Sequence, residues 1–218
     1  PFKLYGYTDL ADIARPIRKP LPDVIRFVKA DIHLIDHEKR QVETSDGNYA
    51  YDWLVSSLGC HVAPEEVDGL AESMGNDVYT FYTPDSAMAF QQPLEDMKAG
   101  RLVINIADMP IKCPVAPLEF SFLADDYFKD RNMRDKVKIT YVTPLSGAFT
   151  TPEATKVLKY LLEEKKIEVV PDFNIEKVDQ ENNKIIDYAE REVPYDILVT
   201  VPTNMGDELI KRSGLGDD

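Results

Sequence analysis

Residues 101–119 read RLVINIADMPIKCPVAPLE. Arg101–Ala107 is a near-continuous apolar run after the turn residue Gly100, as expected of a strand buried on both faces of a parallel sheet. A proline-rich stretch comes next, and Leu118–Arg131 then takes up a helical period with Phe122, Leu123, Tyr127 and Phe128 as its apolar face. Further on, Val137–Val142 (VKITYV) is a second strand. Thr151-Pro152-Glu153 places a hydroxyl at the N-cap, a proline at the first helical position and an acid in the first turn. That start predicts a helix whose stripe is Ala154, Val157, Leu158, Leu161 and Leu162. The same signal precedes the core stretch: Thr83-Pro84-Asp85 opens a helix carrying Ala87, Phe90, Leu94 and Met97.

Two distant stretches repeat one pattern. Residues 24–59 and 167–202 each read as a strand, a charged turn (Asp36–Lys39; Asp179–Asn182), a second strand, a polar turn and a final apolar strand. The final strands are nearly identical, Tyr51-Asp52-Trp53-Leu54-Val55 against Tyr195-Asp196-Ile197-Leu198-Val199. Solenoid repeats recur every ~20–50 residues, and this spacing is far longer, so one supersecondary unit serves in each of two similar domains. The fold class is α/β: a Rossmann-like, doubly wound dinucleotide-binding-type domain with an inserted β-meander, plus part of a second such domain. Residues 62–202 form the complete domain, 1–61 the end of its neighbour (a helix plus a meander), and 203–218 the connection back. Asp207–Arg212, closed by Gly214, reads as a short helix in that connection.

Composition narrows the function. The chain has 218 residues, 44% hydrophobic and 29% charged, with a formal charge of −14. Such a surface repels polyanions, which argues against nucleic acid as a partner. No apolar run approaches the ~20 residues of a membrane span. The chain opens at Pro1 in mid-pattern and is read as an internal fragment. Cys60 and Cys113 are too few and too far apart for a disulfide framework or a zinc site. His33 and His37 fall in a strand and the turn after it, His61 lies further on, and no metal site is expected.

The chemistry lies in the segment after Ala107. A domain that grips a dinucleotide has Gly-x-Gly-x-x-Gly there, because the backbone must approach the pyrophosphate at a helix N-terminus. None of the ten glycines has that spacing, and the segment is Asp108-Met109-Pro110-Ile111-Lys112-Cys113-Pro114-Val115-Ala116-Pro117. Three prolines and two branched residues cannot cradle a pyrophosphate, so this domain is not expected to bind NAD(P). Cys113 instead sits beside Lys112, just before a helix expected to begin at Pro117, at the crevice end of a strand. A helix N-terminus and a neighbouring cation both favour thiolate over thiol, which makes Cys113 the candidate nucleophile.

These residues carry a resemblance. Cys113–Glu119 (CPVAPLE) resembles the cysteine segment C-x-x-A-P-x-E of the sulfide:quinone oxidoreductases and flavocytochrome c sulfide dehydrogenases, FAD-dependent members of the pyridine nucleotide-disulfide oxidoreductase superfamily. Pro1–Pro20 is similar to the stretch that packs near the flavin ring, Tyr51–Gly59 to the strand ending in the superfamily's A-T-G turn, and Asp196–Asp217 to the return crossover. The resemblance implies that residues 1–61 end an FAD-binding-type domain, with Asp31 offering backbone groups to the flavin adenine and Leu58 and Gly59 near the cofactor. It implies Cys113 as the first of a redox cysteine pair, Glu119 as the acid after it, and sulfide and a quinone as small-molecule substrates. The second cysteine, the FAD glycine loop and the peripheral membrane-contact region would lie outside these residues, in a cytoplasmic or membrane-peripheral protein that is a candidate homo-oligomer. The fragment alone is expected to be inactive and free of FAD, and Cys60 to be a spectator.

Two segments depart from the family pattern. Where members carry C-T-x-D-H-A, this chain has Tyr82-Thr83-Pro84-Asp85-Ser86-Ala87, and Ser146-Gly147-Ala148-Phe149 lacks a second family histidine. Both bear on the substrate rather than the fold. The alternatives are an NADH-dependent flavoprotein of the type II NADH dehydrogenase kind, which the missing glycine loop argues against, and a non-catalytic flavoprotein-like interaction module.

Overall fold

The computed structural model describes residues 1–14, 16–17 and 20–216. The chain divides into two compact units, Pro1–Leu10 with Val62–Asn204 and Ala11–His61 with Met205–Asp218. A short helix, α1 (Leu10–Ile13), stands at the first crossing.

In the smaller unit, β1 (Ile32–Asp36), β2 (Gln41–Thr44) and β3 (Gly47–Ala50) form an antiparallel meander in that order. The charged turn read from the sequence joins β1 to β2, and the Asp36 carboxylate accepts the Lys39 amide at 2.9 Å, the local bond that makes aspartate a turn residue. The apolar segment Tyr51–Val55 is a correction: it is not a strand, and Trp53 and Val55 are 93% and 90% exposed. An apolar pattern becomes a buried strand only where neighbouring strands take up its N–H and C=O groups. No strand among the described residues pairs with this segment. After it, β4 (Cys60–Ala63) carries the chain into the larger unit.

The larger unit contains α2 (Leu70–Ser73), β5 (Val78–Tyr79), α3 (Pro84–Asp96), β6 (Gly100–Ile106) and α4 (Ala116–Asp130). Next come β7 (Val137–Val142), α5 (Pro152–Glu164) and β8 (Ile167–Val170). The second meander, β9 (Ile175–Asp179), β10 (Lys184–Asp187) and β11 (Glu192–Pro194), leads to β12 (Ile197–Val201). Five parallel strands form the sheet in the order β5-β12-β6-β7-β8.

Alternation along the strands sorts the core into two layers. Leu102, Ile104 and Ile106 of β6, with Tyr141, Val199 and Val201, pack against Phe90, Leu118, Phe120 and Phe128 from the helices. Val103, Ala107, Val142 and Leu198 face the opposite way, onto Phe173, Ile185 and Tyr195 of the meander side. One face of the sheet is therefore covered by helices and the other by the second meander. On that second face the buried Thr200 hydroxyl donates to Asn105 Oδ1 at 3.1 Å, and Asn105 Nδ2 donates to the Ile106 carbonyl. The pair is satisfied internally, as buried polar groups must be.

Both Thr-Pro helices begin where the sequence places them, and their stripes are buried to different extents. Thr83 Oγ1 accepts the Ser86 amide at 3.1 Å, while Thr151 makes no side-chain cap bond. All four stripe residues, Ala87, Phe90 and Leu94 of α3 and Met97 just past its end, are buried. On α4 the buried face is Leu118, Phe120, Ala124, Tyr127 and Phe128, and Phe122 and Leu123 are only partly buried. On α5 only Leu162 is buried, and Val157 is 61% exposed.

Pro1–Leu10 packs with the sheet unit: Leu4 and Tyr5 are buried in its helical layer, and the Tyr5 hydroxyl donates to the Phe120 carbonyl at 3.1 Å. The last elements are β13 (Thr203–Gly206), which pairs with β4, and α6 (Glu208–Arg212). Asp207 caps α6 by accepting the Leu209 amide at 2.8 Å. The end of α6 is tied to the first meander, where the Ile35 amide donates to Ser213 Oγ and Arg212 Nε to the His33 carbonyl. Residues 205–216 fold with the smaller unit.

Candidate functional site

Because the strands of the sheet are parallel, the segments after β5, β6, β7 and β12 all emerge at one end, where open α/β sheets gather ligands. Tyr82 comes after β5, Cys113 after β6, Ala148 after β7 and Asn204 after β12. The segment after β6 is fastened residue by residue. Asp108 Oδ1 accepts the Met109 amide at 2.7 Å, and the Lys112 amide donates to Asn204 Oδ1 at 2.9 Å. Ile111 is buried, and its carbonyl accepts the Cys113 amide at 3.1 Å.

Cys113 is exposed, and its φ is 128°. L residues rarely adopt that region, which costs on the order of 1–3 kcal/mol and is held only where the surroundings over-determine it. Here the Cys113 carbonyl accepts two hydrogen bonds, from the Ala116 amide at 3.1 Å and from the Tyr82 hydroxyl at 3.1 Å. The thiol itself makes no hydrogen bond among the described residues. Tyr82 is half-buried against the helical core with its ring tilted on Phe81. Burial, and then the charge of the nearby Cys113, push its phenol well above the ordinary tyrosine range. Tyr141, fully buried on β7, is pushed the same way by burial and by Tyr82. Both phenols therefore remain protonated donors at neutral pH.

The helix after the cysteine begins at Ala116, one residue before the expected Pro117. Glu119 lies in its first turn and lines an open groove of about 800 Å³ with Phe2, Val115, Phe122, Phe149 and Val157. Cys113 and Glu119 thus flank the start of one helix, with no hydrogen bond between their side chains. Asp31, Leu58 and Gly59 belong to the smaller unit. The Asp31 amide donates to Ser45 Oγ at 3.0 Å, and its carbonyl accepts the Ser45 amide at 2.9 Å. Leu58 is exposed and Gly59 has φ 76°. Cys60 and His61 lie on β4 and His33 on β1, and no His/Cys/Asp/Glu cluster among the described residues could hold a metal.

Sequence reasoning marks Tyr82 only as a departure from a motif and misses Asn204 altogether. Neither bond is local, and only the parallel order of the strands brings these residues to one end. A dinucleotide phosphate finds no glycine cradle after β6, where Pro110, Pro114 and Pro117 take the place of N–H donors. No helix among the described residues is long and apolar enough to cross a membrane.

No protein-family profile matches the sequence. The mitochondrial sulfide:quinone oxidoreductase of Dictyostelium discoideum is 27% identical over 203 residues, which is 90% of this chain and 45% of that protein. Its counterpart in Schizosaccharomyces pombe is 25% identical over 88% of this chain and 43% of the relative. The chain spans less than half the length of these curated relatives. Among solved structures, the sulfide:quinone oxidoreductase of Aquifex aeolicus superimposes over 98% of this chain and 51% of its own, with a TM-score of 0.81 at 21% identity. Putidaredoxin reductase, in its covalent complex with putidaredoxin, covers all of this chain and 51% of its own, with a TM-score of 0.68 at 18% identity. In sequence along most of its length, and in fold along nearly all of it, this chain resembles the sulfide:quinone oxidoreductases.

Proposed function

We propose that this chain is the central part of an FAD-dependent oxidoreductase that oxidises sulfide and passes the electrons to a quinone, with Cys113 as its nucleophile. The observation that carries the reading is the exposed Cys113 on the strained loop that replaces a phosphate-binding loop at the ligand end of a parallel sheet. The sequence similarity to two sulfide:quinone oxidoreductases supports it. In this reading Cys113 rests as a disulfide with a second cysteine outside these residues; hydrosulfide adds to the partner sulfur to give a persulfide, the S–S bond breaks, and Cys113 is released as the thiolate that passes the electron pair on. Glu119, at the helix start, holds or passes a proton. FAD, when bound, supplies the two-electron acceptor. Asp31, Leu58 and Gly59 of the smaller unit would help hold the flavin, and the polypeptide outside these residues would supply its phosphate loop, the quinone site and any contact with a membrane. An NADH-dependent reading has no glycine loop to rest on.

The test is sulfide-dependent flavin reduction in the full-length protein. Cys113→Ser should slow it by about a hundredfold or more, with flavin content unchanged. Reduction at the wild-type rate would remove Cys113 from the mechanism. A wild type that sulfide does not reduce would end the sulfide assignment.

A further inference from the structure

Cys113 occupies a backbone region that favours glycine, and the loop around it contains no glycine to absorb the geometry. Something has to hold it there. Its amide is taken by Ile111 and its carbonyl by Ala116, but both bonds lie within the loop and would move with it. The bond from Tyr82 is different, because Tyr82 stands at the end of another strand and its ring is seated on the sheet's helical core. Lys112, one residue earlier, is anchored in the same manner by Asn204 from after β12.

We propose that Tyr82 is a positioning residue for Cys113: its hydroxyl fixes the Cys113 carbonyl, so the strained backbone persists and the thiol stays presented at the ligand end of the sheet. The proposal deepens the reading of Cys113 as nucleophile and rests on it for its catalytic meaning. Its geometric content stands apart from the identity of the substrate. It also gives the tyrosine a task of its own where the family pattern this chain resembles has a cysteine: contact through the backbone rather than through sulfur.

Tyr82→Phe in the full-length protein removes the hydroxyl and keeps the ring. Alkylation by iodoacetamide, tracked on the Cys113 and Cys60 peptides by mass spectrometry between pH 6 and 9, makes Cys60 the internal reference. The ratio of Cys113 to Cys60 rates should fall about three- to fivefold, the weight of one hydrogen bond, across the whole pH range. The melting temperature should stay within about 2 °C, and deuterium uptake by the segment 112–118 should rise. An unchanged ratio with unchanged deuterium uptake would overturn the proposal. So would a ratio that falls only in step with a loss of folded protein. If the phenylalanine variant does not fold, Tyr82→Met, a flexible apolar side chain without a donor, gives the same readings. Because no reading uses sulfide or flavin reduction, failure here is distinct from failure of the sulfide assignment.

Discussion

Asp125 is the residue on which the helical layer is tied together. It is fully buried on α4, and it accepts from Lys129 at 2.5 Å, Arg134 at 2.7 Å and Lys165 at 2.9 Å. Arg134 continues to the carbonyls of Val137, Lys165 and Lys166, so one carboxylate links the ends of α4 and α5 to the start of β7. Burial acts to raise its pKa, but the bonds from Lys129, Lys165 and Arg134 outweigh it and the net displacement is downward. A carboxylate whose folded pKa is depressed contributes stability above its unfolded value of about 3.9 and loses it as the pH falls through the folded value. Asp125→Asn should therefore cost about 1–3 kcal/mol at pH 7 in urea unfolding, because the buried side chain loses its charge-assisted bonds while Lys129 and Lys165 stay partly open to water. The gap from wild type should close below about pH 4. A cost under about 1 kcal/mol at pH 7 would mean that the cations find water instead. At this scale legibility in the sequence is uneven. Cys113 stands out because an apolar strand, three prolines and a helix start surround it. Tyr82 and Asn204 do not, since their bonds to the loop span 31 and 92 positions and leave no local pattern.

At the level of elements, the join between β6 and β12 shows how a strand's start can be dictated by a partner far along the chain. Gly100 has φ 118°, and a Cβ there would lie 2.7 Å from Asp196 Oδ2. That carboxylate accepts the Arg101 amide at 2.7 Å and pairs with the Arg101 guanidinium, which holds its pKa below the usual carboxylate range. Gly100→Ala should lower stability by about 1–3 kcal/mol in urea unfolding, from strain and collision together. Measured against Asp196→Ala alone, the same glycine substitution should cost less, because the collision with Oδ2 is gone and the strain is not. No cost at all in that background would show that φ here is free to relax. Strands β6, β7 and β12 are readable from sequence because burial on both faces demands unbroken apolar runs. The same logic misassigns Tyr51–Val55, whose pattern matches that of Tyr195–Val199 and whose neighbours differ. Periodicity reports what a segment could bury; only pairing decides whether it does. The stripe on α5 repeats the lesson, because Val157 has the spacing of a core residue and faces the open groove.

On the scale of the whole molecule, the question is what these 218 residues can bind unaided. Flavin dinucleotides are held above all by their pyrophosphate, which needs close backbone N–H groups at a helix N-terminus. None of the ten glycines supplies that spacing, and a formal charge of −14 opposes an anionic ligand over the entire surface. The flavin contacts proposed for the smaller unit, Asp31, Leu58 and Gly59, would then act without their electrostatic anchor. The expressed chain should purify colourless, with no flavin absorbance near roughly 450 nm. Trp53 provides a second reading, as the single tryptophan of the chain and 93% exposed in the unit that carries the proposed contacts. Its emission should be quenched by the neutral quencher acrylamide about as readily as free tryptophan, and FAD at about ten micromolar should leave it unchanged after correction for absorbance. Stoichiometric yellow flavin in the isolated chain, or saturable quenching of Trp53 by FAD, would show that the smaller unit grips the cofactor without a glycine loop. The division of the flavin site between this chain and the rest of the protein would then have to be redrawn.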